Sequence, residues 1–183
     1  MAEYYLISQL PSLDGIGENS PVPITEERFL ELCEGSVKKS VLRELNNIKL
    51  VPPIDEEKAY SPLLEKWNTG ERDLRLALAK VRADKMNKPF DLQNRKLPLE
   101  LYKIASAAVE IKNPLEAEKF LLQHRLSFLE EIRPMDGFSE EYIFYYGLKL
   151  KLILRLRQFD GEAGKTVYKS IYDAILNGDR LEA

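Results

Sequence analysis

Proline and glycine cut this chain into short stretches, and most of those stretches carry apolar residues at helical spacing. Pro11, Gly15, Gly17, Pro21 and Pro23 mark positions 11–24 as a loop. Val51-Pro52-Pro53, Pro89, Asn113-Pro114, Pro134 and Gly137 supply the later breaks. Proline has no amide donor and its ring clashes with the preceding turn, so a helix stops before it or starts at it. Stretches of this kind fit a helical domain far better than a sheet.

The individual stretches bear this out. Thr25 before Glu26 and Glu27 reads as a helix start: the hydroxyl can accept from a free amide, and the acids suit the positive end of the helix dipole. That helix runs to about Glu34, with Gly35 as its stop. A second spans Ser36 to about Leu50, with Val37, Val41, Leu42, Leu45 and Ile48 on one side. Leu74, Ala77, Leu78 and Val81 follow the i, i+3, i+4, i+7 pattern and predict a helix from Glu71 to Met86. Further helices are predicted from Pro98 to Lys112 and from Pro114 to Ile132.

Two segments need arbitration. Leu148, Leu150, Leu152, Leu154 and Leu156 alternate with Lys149, Lys151, Ile153, Arg155 and Arg157, which is a strand signal. Leucine, lysine and arginine are nevertheless good helix formers, and Ile143 and Ile153 are the segment's β-branched residues. Ser139-Glu140-Glu141 also reads as a helix start, so a helix from Ser139 to about Phe159 is preferred. Glu3 to Leu10 fits a short extended segment or a helical turn. A last helix carries Val167, Tyr168, Ile171, Tyr172, Ile175 and Leu176 on one face. The expectation is an all-α, single-domain bundle of about seven helices over 1–183, with 1–24 as N-terminal segment and loop and 25–183 as helical body.

Charge and cysteine usage narrow the function. The 27 basic and 30 acidic residues lack the basic excess of a dedicated nucleic-acid binder. A single cysteine, Cys33, cannot form an internal disulfide and fits a reducing compartment. The opening residues carry no basic-then-apolar leader pattern, and no run approaches the roughly 20 apolar residues that span a bilayer. A cytoplasmic protein without membrane insertion is expected.

No chemical motif is complete. Gly164-Lys165-Thr166 matches the end of a phosphate-binding loop, but the required first glycine would sit where Phe159 stands. A turn between helices, with Gly161 as cap, is the better reading. His124 is the single imidazole and lies far from Cys33 in sequence, so no zinc ligand set can be assembled. His124 is expected on the outer side of its helix and Cys33 as a buried structural thiol. The carboxylate pairs Glu26/Glu27, Glu56/Glu57, Glu130/Glu131 and Glu140/Glu141 are sequence neighbours, which point about 100° apart on a helix and do not converge as an acid–base dyad would. No catalytic residue, cofactor or metal is expected. The suggestive polar residues are basic: Arg72, Arg75 and Arg82 on one helix, and Lys149, Lys151 and Arg155, beside Arg157, on another. They are either a solvated face balanced by acids such as Asp73 and Asp84 or a docking surface for an acidic partner helix.

Two groups of residues carry a resemblance. Tyr4-Tyr5-Leu6-Ile7-Ser8-Gln9-Leu10-Pro11-Ser12-Leu13, then Pro23-Ile24-Thr25 and Phe29-Leu30-Glu31-Leu32-Cys33, resemble the opening of an uncharacterised bacterial family encoded among subunits of V-type (A-type-like) ATPases. Trp67, Leu115-Glu116-Ala117-Glu118 and Tyr145-Tyr146-Gly147-Leu148-Lys149-Leu150 are compatible with it. Asp73 to Lys85 is also partly similar to helices of the C (eukaryotic d) subunit of these ATPases, an all-helical cup between rotor ring and central stalk; Leu74 follows Asp73 where that subunit usually has asparagine first. The resemblance implies a non-catalytic accessory or coupling subunit that binds central-stalk or membrane-ring subunits through helix faces. The alternatives are a nucleotide-binding enzyme using Gly164-Lys165-Thr166 and a general helical adaptor.

Overall fold

The computed structural model describes residues 2–16, 20–52, 59–92, 95–158, 166, 168–173 and 175. Among them the chain forms α1 (Ala2–Gln9), α2 (Glu26–Glu34), α3 (Lys39–Asn47), α4 (Pro62–Lys85), α5 (Leu99–Glu110), α6 (Pro114–Glu131) and α7 (Glu140–Arg157). Residues 168–173 are helical as well, and the described residues contain no strand. The N-terminal segment is therefore a helix, and the alternating leucines of 148–156 lie on a helix.

Local chemistry sets the starts. Thr25 Oγ1 accepts from the Arg28 amide at 3.2 Å, Ser61 Oγ from Leu64 at 3.1 Å, Asn113 Oδ1 from Leu115 at 3.0 Å and Ser139 Oγ from Tyr142 at 3.3 Å. Each bond satisfies one of the amides that a first helical turn leaves free. Pro62 and Pro114 occupy the first turns of α4 and α6, where a missing amide costs nothing. Beyond the end of helix α4 at Lys85, Asn87 takes a left-handed φ of 53°, and Lys88 N donates back to Ala83 O at 2.9 Å.

The prediction for α4 needs correction. The helix begins at Pro62 rather than Glu71, because Ser61 caps it and Leu63, Leu64, Trp67, Glu71 and Leu74 continue one buried stripe. The sequence pattern breaks at Glu71 because a carboxylate occupies a core position.

Helix α7 is the axis. Every residue from Ile143 to Leu150 is buried, so the helix is enclosed on all sides and shows no simple apolar face. It packs against α2, α3, α4 and α6. One apolar cluster gathers around it from Leu6, Phe29, Cys33, Leu45, Trp67 and Leu129. A second joins Leu74, Ala77 and Leu78 of α4 with Ala105 and Ala108 of α5 and Leu121 of α6. Helix α4 belongs to both. No helix among the described residues is long and apolar enough to cross a membrane.

Candidate functional site

The predicted basic residues divide between different settings. On α4, Glu71 is buried, with 2% of its side chain exposed. It accepts Arg75 Nε at 2.8 Å from its own helix. From α6, Arg125 grips the same carboxylate with Nε at 2.9 Å and Nη2 at 3.0 Å. Arg125 Nη1 lies 3.6 Å from Glu118 and is buried without a hydrogen bond. Glu118 in turn takes Arg155 Nη2 of α7 at 3.1 Å. Arg75, Glu71, Arg125, Glu118 and Arg155 thus form one chain of alternating charge across α4, α6 and α7.

Beside this chain runs a groove of about 290 Å³, lined by Arg75, Leu78, Ala79, Arg82, Glu118, Leu121 and Arg125. Arg82 stands one heptad beyond Arg75, is exposed, and makes no ion pair with a described residue. Three guanidinium groups, Arg75, Arg82 and Arg125, line the groove with one carboxylate, Glu118, and Glu71 behind them is shared by Arg75 and Arg125. The groove is therefore positive while its walls are held rigidly by ion pairs. Arg72 is half-buried and lies outside the groove. Asp73 and Asp84, offered as balancing acids, take Arg95 at 3.4 Å and Lys80 at 2.7 Å.

Lys149 and Lys151 part from this set because they are two residues apart on a helix and face opposite ways. Lys151 bonds Glu26 of α2. Lys149 is only 8% exposed, so it belongs to the inner framework and offers no docking surface. Its Nζ donates to Asp14 Oδ1 at 2.6 Å, Glu130 Oε1 at 2.6 Å and Tyr145 Oη at 3.2 Å. Burial would lower the Lys149 pKa, but these three bonds outweigh it and raise it above the usual lysine value. The Lys149 bond holds Asp14 below the usual carboxylate range. Glu130 is also lowered: burial opposes this, and the bonds from Lys149 and Tyr145 prevail. Tyr146 Oη donates to Pro11 O at 2.9 Å and completes the attachment of the loop after α1.

Members of the predicted carboxylate pairs tie separate parts of the fold together. Glu26, Glu130 and Glu140 each bind a distant lysine, and Glu141 Oε2 accepts from the Leu63 amide at 2.9 Å. Glu56 and Glu57 lie outside the described residues, as does Gly161 to Lys165 of the loop-like string. Cys33 is fully buried, and burial pushes its thiol up to about 12.

His124 corrects the sequence reading. It is half-buried and lines a cleft of about 650 Å³ between α4, the start of α5 and α6. Burial, then the charge of Arg125, holds its pKa below the usual imidazole value. Trp67, Phe128, Leu101 and Ile132 supply apolar walls. Gly70 makes the approach possible: a Cβ there would sit 2.5 Å from the Phe128 ring. The cleft opens where the two apolar clusters part, a tertiary feature that helical periodicity does not encode. Among the described residues no three His, Cys, Asp or Glu side chains gather as a metal ion would require.

Compared with models of known families, with curated proteins and with solved structures, this chain matches none.

Proposed function

We propose that this chain is a non-catalytic accessory subunit of a bacterial V-type ATPase, which docks an acidic helix of a stalk or rotor-ring subunit in the α4–α6 groove. The observation that carries the docking is the excess of cations lining a preformed groove, in which exposed Arg82 makes no ion pair with a described residue. Guanidinium groups give carboxylates directed, two-pronged bonds, and a charged groove raises encounter rate and selects partners. The assignment to this machine rests on the resemblance of the N-terminal and Trp67-to-Leu150 residues. Further contact area comes from Tyr168, Ile171, Tyr172 and Ile175, which repeat at helical spacing and are each more than half exposed. Affinity purification of the tagged chain at low salt is expected to recover stalk or ring subunits, with loss at high salt. A preparation that holds no ATPase subunit would overturn the reading.

A further inference from the structure

The cleft beside His124 has the size of a small-molecule site and an unequal charge balance. Glu71 is saturated by Arg75 and Arg125, and Asp73 is engaged by Arg95. Glu100 and Glu131 are different: both are exposed at the rim, and neither has a cation on it among the described residues. Both lie close enough to His124 to favour its charged form, yet burial and Arg125 prevail and hold the imidazole below its usual range. Among the described residues Lys66 is the one rim cation besides the committed Arg125. Inside, the walls are aromatic and aliphatic. Trp67, 1% exposed, lines this cleft and also a second pocket on the α3 side, and its buried Nε1–H has no acceptor among the described residues.

We propose that the cleft binds a small organic cation: an amine on an apolar or aromatic body. The ammonium group would sit at the rim carboxylates Glu100 and Glu131, and the body against Phe128 and Ile132. Carboxylates at the rim reject an anion of the same shape. Aromatic faces favour a cation above a neutral ligand.

Trp67 is the sole tryptophan, so its emission reports occupancy directly. Titration with phenylalaninamide, a cation with a carbonyl and a phenyl ring, is expected to shift that emission saturably. The acid 3-phenylpropionate, which lacks the ammonium group and carries a carboxylate in place of the amide, is expected to give no saturation. Glu100→Gln with Glu131→Gln, both at exposed positions, is expected to weaken phenylalaninamide by about tenfold while thermal stability holds. An equal response to both probes, an affinity unchanged in the double variant, or no saturable response would overturn the proposal. None of these outcomes depends on an ATPase partner.

Discussion

Gly70 of α4 faces Phe128 of α6 so closely that a single methyl group would overlap the ring. The ring approaches the helix backbone itself and thereby sets the spacing of the two helices that frame both grooves. Glycine within a helix costs roughly 0.5–1 kcal/mol relative to alanine, and here that cost is offset by the packing it permits.

Gly70→Ala is therefore expected to destabilise the protein by about 1–3 kcal/mol, despite the better helix propensity of alanine. Phe128→Leu in the same chain should recover part of the loss by making room. Thermal melts of the single and double variants check this; a Gly70→Ala variant as stable as the parent would contradict the close packing.

The second prediction concerns the buried carboxylate. Arg125→Met removes the two-pronged partner of Glu71 and is expected to cost about 3–5 kcal/mol, since a buried charge is left partly unpaired. Replacing Glu71 by Leu as well should restore much of it, because two apolar residues need no hydrogen bonds. Urea unfolding of the pair of variants measures the coupling.

The Lys149 cluster sets a pH window for the loop after α1. Asp14 and Glu130 have lowered pKa values, so their contribution is present above the ordinary carboxylate range of about 4 and is lost as pH falls through the lowered values. Lys149 has a raised pKa, so its contribution is full below about 10.4 and is lost as pH rises through the raised value. Tyr145, pushed up to about 12 by burial and then by its bond to Glu130, is lost on the same alkaline side. Amide protection at residues 10–16, taken relative to the intrinsic exchange rate at each pH, is expected to fall at both extremes, and in Lys149→Met at neutral pH. Protection that holds across the pH range and is unchanged in that variant would contradict the attachment.

The limits of sequence reading follow from the same residues. Helix starts were legible because a cap is local: Thr25, Asn113 and Ser139 act on amides two or three positions away. The first half of α4 was hidden because Glu71 sits in a core stripe, and its partner Arg125 comes from another helix. Lys149 read as a surface cation because Asp14 and Glu130 reach it only through the fold. The exposed apolar face of 168–175 was visible as periodicity, while Val167 and Leu176 lie outside the described residues. His124 looked outward because the cleft beside it exists only once α4 and α6 meet at Gly70.

The central claim is that the α4–α6 groove receives an acidic partner, and Arg82 tests it most directly because it is exposed and outside the internal ion pairs. Calorimetric affinity for the ATPase subunit recovered with the chain should be compared for Arg82→Glu and for Lys39→Glu, an identical charge reversal at an exposed position of α3. The account predicts that Arg82→Glu weakens binding by about tenfold or more while Lys39→Glu leaves it near the parent value. Equal affinities for the two variants would contradict it.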